Sequence, residues 1–80
     1  MKKLQKKVYQ YTVIFERNER DGFTVTVPSL PGLVTEGDTL NDARDMAADA
    51  IRVYIQGLKK TRETIPHERE IGQFKLAVTV

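Results

Sequence analysis

The stretch from Phe23 to Leu40 constrains the fold of this chain more than any other part of it. Its first five residues alternate apolar and Thr side chains, which is the period of a half-buried strand. Pro28 has no backbone N–H to donate, so this strand should end there or lie at an edge. Pro31-Gly32 is a turn dipeptide, and Thr39 is placed to cap a helix that begins at Leu40. The stretch therefore predicts a strand, a corner, a short strand, a turn and a helix, in that order.

The flanking segments complete a β-β-β-α-β order. Asp21-Gly22 predicts a hairpin between the first two strands, and alternating apolar residues near the end of the chain predict a final strand. The predicted elements are strands over residues 8–17, 23–27 and 33–36, a helix over 40–60, a loop over 61–72 and a strand over 74–80.

The predicted helix is amphipathic, and its small Ala residues should allow a close approach to the sheet. Its apolar stripe consists of Leu40, Ala43, Ala47, Ala50, Ile51, Tyr54 and Leu58. One helix covers only one face of a sheet, so we predict an α+β fold: a small antiparallel sheet with one helix packed on one face. The first strand should turn its aromatic face, from Tyr9 to Phe15, towards the core. The opposite sheet face is rich in Thr and is free to meet water or a partner.

The ordered combination of corner, turn and helix resembles the HicB family of antitoxins. The matching residues are the Val27-Pro28-Ser29-Leu30-Pro31-Gly32 corner, the Thr35-Glu36-Gly37-Asp38-Thr39 turn, and Ala43, Ala47 and Ala50 on the helix. The resemblance implies a truncated (partial) RNase H-like fold. It also implies a protein that binds and silences a small toxin, HicA, which is an mRNA-cleaving ribonuclease. An antitoxin of this kind is not an enzyme and needs no cofactor.

The length of 80 residues predicts a single domain, preceded by a basic tail over residues 1–7. A domain this small gains stability from association, so we expect a homodimer or a higher homo-oligomer. There is no Cys, no apolar run of membrane-spanning length and no secretory signal, so the predicted location is the cytoplasm. Nothing follows Val80, so we expect no C-terminal DNA-binding domain, which puts DNA binding in doubt.

Catalytic chemistry is not expected. A nuclease of the RNase H type needs carboxylates from several elements that converge on metal ions. Glu16 lies near the end of the first strand, but the final strand carries no acid, and the helix acids lie opposite the apolar stripe. His67, the single His, lies in a polar loop. Gly32 and Gly37 form no phosphate-binding motif and are interpreted as turn residues. We therefore predict no catalytic residue and no metal site.

The acidic side of the helix is the candidate binding surface. Asp42, Asp45 and Asp49 are spaced i, i+3 and i+7, so they share one side of the helix. A solvated helix face is the simpler interpretation. The functional interpretation is a docking surface for a basic partner, because a protein that holds RNA must be basic where it does so. Glu36 and Asp38, at the adjoining turn, complete the five predicted contact residues.

Two other hypotheses remain open. The first is an orphan binding module that forms a homo-oligomer through its open sheet face or its final strand and has no toxin partner. The second is a nuclease remnant with weak metal-dependent activity. The acidic helix face and the open sheet face both remain candidates for the docking surface.

Overall fold

The structure, a computed structural model, describes residues 7–80. A three-stranded antiparallel sheet in the order β1-β2-β3 is followed by one helix. The elements are β1 (Ile14–Arg17), β2 (Phe23–Thr26), β3 (Val34–Gly37) and α1 (Leu40–Lys60). This arrangement confirms the predicted α+β class and the β-β-β-α order. The basic tail lies outside the described residues, apart from Lys7.

The pairing register places the core on the predicted face of the sheet. Phe15 of β1 and Thr35 of β3 both pair with Val25 of β2, so the three residues share one side. Val25 is fully buried and packs with Ala43 and Ala47 of the helix. The small Ala side chains thus bring the helix onto the sheet, as their spacing predicted. The opposite face carries Ile14, Thr26 and Val34, among others, and has no helix on it.

The corner between β2 and β3 forms a second core. Val27, Leu30 and Leu33 are buried together, and Ala50, Ile51 and Tyr54 of the helix pack against them, as do Tyr11 and Val13. The Leu30 N–H donates to the Val27 carbonyl at 2.9 Å, and the Leu33 N–H donates to the Leu30 carbonyl at 3.2 Å. These two turns direct the side chain of Leu30 inwards. Gly32 has a φ of 83°, which confirms its role as a turn residue.

The helix has the predicted bounds and cap. The Asp42 N–H donates to Thr39 Oγ1 at 3.1 Å, which satisfies one of the free donors of the first turn. Most of the predicted apolar stripe is buried or half-buried, but Leu40 is exposed. Ile55, which the predicted stripe omits, is buried. It lies four residues after Ile51, which is about 40° around the helix, so it belongs beside the same stripe.

Gly37 has a different role from the predicted one. It is the last residue of β3, and a Cβ added there would lie 2.3 Å from the backbone nitrogen of Ala43. The absence of a side chain therefore allows the end of β3 to touch the first turns of the helix. This close approach fixes how the strand end and the helix start are placed relative to each other.

The predicted final strand does not form in the single chain. Residues 74–80 pair with no strand of the described part, and Phe74, Leu76 and Val78 are 84%, 81% and 79% exposed. A strand needs a backbone partner, and no described segment lies beside these residues. The same requirement explains why β1 begins at Ile14 rather than at residue 8. Ile14 pairs with Thr26, the last residue of β2, so the residues before Ile14 have no partner in β2.

The segment that follows the helix returns to the residues just before β1. We call residues 66–68 the return segment. The Tyr11 hydroxyl donates to the Pro66 carbonyl at 2.6 Å, and the Thr12 hydroxyl donates to Glu68 Oε2 at 2.7 Å. The Thr12 backbone N–H donates to the other carboxylate oxygen of Glu68. The hydrogen bond from the Thr12 backbone N–H lowers the pKa of Glu68 most, and the bond from the Thr12 hydroxyl lowers it further. Burial raises the pKa of Tyr11.

The lowered pKa of Glu68 predicts a pH-dependent attachment of the return segment. Since the pKa is lower in the folded than in the unfolded state, the stabilisation is fully present above the unfolded-state pKa. It is lost as the pH falls through the folded-state pKa. We expect Glu68→Gln to remove this part of the pH dependence of the unfolding free energy, measured by urea unfolding from neutral to acidic pH. Glu70→Gln is the exposed control. Identical pH dependence in Glu68→Gln and wild type would contradict the assignment.

Candidate functional site

The candidate site is an open depression at the junction of β3 and α1. Glu36, Asp38, Asp42 and Asp45 line it together with Gly37 and Met46, and its volume is about 380 Å³. The structure thus brings together four of the five predicted contact residues, although strand, turn and helix contribute them separately. All four carboxylate-bearing residues are exposed. We call these four residues the acidic cluster.

The fifth predicted residue, Asp49, is exposed on the same side of the helix but does not line the depression. Its Oδ1 accepts a hydrogen bond from Arg52 Nη1 at 2.8 Å. Glu36, within the cluster, pairs with Arg20 at 2.9 Å. Exposed pairs of this kind contribute about 0–1 kcal/mol each, so a basic partner can replace the arginine at little cost. Within residues 7–80, no ion pair involves Asp38, Asp42 or Asp45.

Local chemistry explains how the cluster is assembled. The close approach at Gly37 places the end of β3 beside the first turns of the helix, and Thr39 caps that helix. Asp42 lies in the first turn, where the helix dipole favours a negative charge by about 0.3–1 kcal/mol. The position of Asp42 therefore has a structural reason in addition to any role in binding. Asp45, one turn further along, benefits less, because the dipole effect falls off within the first turn.

Two exposed apolar residues lie among the acids, and the predicted site omitted both. Met46 lines the depression and is 45% exposed, while Val53 is 67% exposed. Asp42, Met46, Asp49 and Val53 follow a spacing of i, i+4, i+7 and i+11, so they form one ridge along the helix. That spacing was visible in the sequence. The predicted contact residues were all acidic, so these two apolar residues were not among them.

Glu16, Glu19, Asp21 and His67 do not line the depression. Among residues 7–80, no group of three or more His, Cys, Asp or Glu side chains is placed to hold a metal ion. Glu16, Glu19 and Asp21 are exposed at the β1–β2 end of the sheet, and His67 is exposed in the loop. The acidic cluster itself lines an open surface rather than an enclosed cavity. Such a surface can receive Lys and Arg side chains of another molecule.

The basic regions of the sequence meet at a different place. Lys7 Nζ and Lys59 Nζ lie 5.5 Å and 5.7 Å from the centre of the Tyr9 ring. Both distances are within the range of cation–π attraction. The start of the described chain and the end of the helix therefore form one basic corner.

In the part of the chain that the structure describes, no helix has the length and apolar character needed to cross a membrane.

Comparison with known proteins identifies a family. Residues 11–78 match the model of the family described as HicB_like antitoxin of bacterial toxin-antitoxin system. A UPF0150 protein of Thermoplasma acidophilum is 44% identical over 59 residues, which cover 74% of this chain and 86% of that protein. An uncharacterized 14.9 kDa protein of Haemophilus phage HP1 is 36% identical over 64 residues, or 80% of this chain and 47% of that protein.

A third relative carries a functional name. Antitoxin HicB 1 of Photorhabdus laumondii is 34% identical over 64 residues, covering 80% of this chain and 41% of the antitoxin. This chain therefore spans most of the Thermoplasma protein but less than half of the phage protein and of the antitoxin. The matched region includes the whole sheet, the helix and the acidic cluster.

Proposed function

The chain belongs to the HicB-like antitoxin family of bacterial toxin–antitoxin systems, and from this premise we propose that it binds and neutralises a HicA-type mRNA-cleaving toxin. The observation that carries the proposal is the acidic cluster, in which three elements of the fold place four carboxylates around one open depression. A toxin that holds RNA must present Lys or Arg side chains to phosphates. The acidic cluster offers carboxylates to the same side chains.

The proposed mechanism is occlusion. The domain covers the RNA-binding surface of the toxin and its catalytic residue, so that RNA can no longer reach either. Carboxylates of the acidic cluster replace RNA phosphates as partners of the toxin's basic side chains. Opposite charges on the two surfaces also speed their encounter, by a factor that falls as the salt concentration rises. Asp38, Asp42 and Asp45 are the principal contacts, with Glu36 and Asp49 released from their arginine partners.

Met46 and Val53 supply the apolar part of the interface. Charge pairs at a wet rim contribute little affinity, whereas side chains buried at the centre of an interface contribute most of it. Met46 lies within the depression, and a Met side chain adapts its shape to a partner surface. The ridge of alternating acid and apolar residues thus combines steering by charge with burial of apolar surface.

We propose no catalytic role for the domain, and we place it in the cytoplasm, where mRNA-cleaving toxins act. The proposal concerns toxin binding alone, because the matched region spans 41% of the Photorhabdus antitoxin. The predicted kinship with the RNase H fold is likewise a proposal; the β-β-β-α order supports it.

Co-expression tests the proposal and predicts a large effect of charge reversal. The chain is expressed with the product of the adjacent reading frame, where that frame encodes a short basic protein, and growth and co-purification are scored. We expect wild type to rescue growth. Asp42→Lys/Asp45→Lys should abolish rescue and weaken binding by at least about 100-fold, since like charges brought together in an interface cost several kcal/mol.

Glu19→Lys/Glu70→Lys is the matched control. Both residues are exposed and lie outside the depression. Since both double variants replace two acidic residues by Lys, they change the net charge by the same amount. The control should rescue growth as wild type does. Equal rescue by the two variants, both folded by circular dichroism, would move the docking surface away from the acidic cluster. Failure of wild type to rescue growth or to form a complex would contradict the toxin-binding function.

A homo-oligomeric module without a toxin partner is the alternative function. Its supporting observation is the exposed apolar segment over residues 74–80. Self-association of the chain, together with a neighbouring gene whose product is harmless and does not bind, would favour this alternative.

A further inference from the structure

Residues 74–80 form an extended arm with an unusual pattern of exposure. Phe74, Leu76, Val78 and Val80 alternate with Lys75, Ala77 and Thr79, and all seven residues are exposed. Monomeric proteins rarely leave a row of large apolar side chains in water. The period of two means that all four apolar side chains would lie on one face if the arm were a strand. The arm thus has the pattern of a strand but has no partner.

The arm does not pair with β1 of its own chain. Glu68 holds the return segment beside Thr12, a separation of 56 residues along the sequence. Beyond this point, no backbone hydrogen bond joins residues 69–80 to β1 in the part of the chain that the structure describes. The radius of gyration, 15.7 Å against about 12 Å for a compact domain of this length, agrees with an arm that leaves the body.

The helix covers the β3 and β2 parts of one sheet face but leaves the β1 part less covered. The helix packs mainly against β3 and to a lesser extent against β2. On the helix side of the sheet, Val13 and Phe15 pack at the margin of the core and are only half-buried. β1 is also an edge strand, so one row of its backbone N–H and C=O groups is unpaired within the sheet. A strand added at this edge, with its apolar face towards the helix, would cover both the backbone and the side chains.

We infer that the arm of one molecule adds as a fourth strand to the free edge of β1 in a second copy of this chain, reciprocally. The arm supplies backbone partners for Ile14–Arg17, and its apolar side chains extend the core beside Val13 and Phe15. Such an exchange of an identical element is a common route to dimers, and strand addition is a recurrent way to use an exposed edge. The inference rests on the homo-oligomeric state proposed above and specifies the surface that would form it.

Size determination of the full chain by light scattering tests the exchange. Wild type should be a dimer. Leu76→Lys/Val78→Lys, on the apolar face of the arm, should raise the dimer dissociation constant by more than about 100-fold, because large apolar side chains on both arms lose their burial. Ala77→Lys/Thr79→Lys, on the opposite face, adds the same charge and should leave the dimer intact. The helical part of the circular dichroism signal should be the same in both variants, because the substitutions lie outside the helix.

Amide hydrogen exchange identifies the edge. In the dimer, Ile14–Arg17 and the arm should be protected together, and both should lose protection in Leu76→Lys/Val78→Lys. A monomeric wild type, or a dimer that persists in that variant, would overturn the inference. Protection at β3 instead of β1 would overturn the assignment of the edge. These readouts need no toxin, so failure here is distinct from failure of the toxin-binding function.

Discussion

Replacing Gly37 by Ala is expected to destabilise the domain by about 1–3 kcal/mol or more, the usual cost of forcing a methyl group into a closely packed site. The added Cβ would lie 2.3 Å from the backbone nitrogen of Ala43, and backbone cannot rotate away as a side chain can. The helix start must therefore move away from β3. The same displacement would open the acidic depression, which Gly37 lines.

Gly57→Ala is the matched control for this prediction. Gly57 lies within the helix, and a Cβ added there meets no atom within 4 Å. Because Ala is favoured over Gly in a helix interior, the control should stabilise the domain by about 0.5–1 kcal/mol. Urea unfolding of both variants gives the comparison. Equal unfolding free energies for Gly37→Ala and wild type would show that the strand and the helix are not in close contact at this point.

Leu30→Ala is expected to cost about 2–5 kcal/mol, the range for removing a fully buried Leu side chain. Leu30 is 0% exposed and lies at the centre of the corner core between β2 and β3. Small domains have total stabilities of about 5–15 kcal/mol, so this variant should be partly unfolded at 37 °C. Thermal unfolding followed by circular dichroism measures the effect.

Val53→Ala is the corresponding exposed control, because Val53 lies on the solvent side of the helix. Its unfolding temperature should remain close to that of wild type. A similar shift in the two variants would mean that the corner does not form the second core. Loss of toxin binding in Val53→Ala without loss of stability would further support the proposed apolar ridge.

The elements defined by local chemistry were predictable from the sequence. The helix begins at Leu40 and ends at Lys60 as predicted, because a capping Thr, a regular apolar period and basic last residues all act within a few positions. The second and third strands follow from Gly, Pro and alternation, and the observed bounds of β2 and β3 lie within about one residue of the predicted ones. The end of β1 at Arg17 was also predicted, but its start was not. The confirmed family resemblance rests on the same local features.

The failures involve contacts between distant residues. The predicted final strand had the right alternation, but alternation cannot say whether a partner strand is available. Leu30 was treated as part of a turn, since nothing in its neighbours indicates that the corner folds inwards onto the helix. Gly37 was also interpreted as a turn residue, although its absent side chain serves a contact with Ala43. Each error concerns where a segment packs, not which local structure it favours.

The predicted site also combines features that local sequence determines with features that depend on packing between distant segments. The shared helix side of Asp42 and Asp45 follows from periodicity, whereas their meeting with Glu36 and Asp38 depends on the β3–α1 packing. The pairing of Asp49 with Arg52 was also accessible, since the two residues are three apart on a helix. Met46 and Val53 differ from the predicted residues in being apolar, and their exposure depends on which side of the helix faces the sheet. These two residues extend the proposed surface beyond its acids.

Inhibition of RNA cleavage tests the central claim most directly. A purified HicA-type toxin, the product of the adjacent reading frame, is incubated with an RNA substrate, and this chain is titrated in. Occlusion predicts that cleavage falls to zero at a fixed molar ratio and that Asp42→Lys/Asp45→Lys fails to inhibit, while Glu19→Lys/Glu70→Lys inhibits as wild type does. Cleavage that continues unchanged in an excess of the folded wild-type chain would contradict the proposed function.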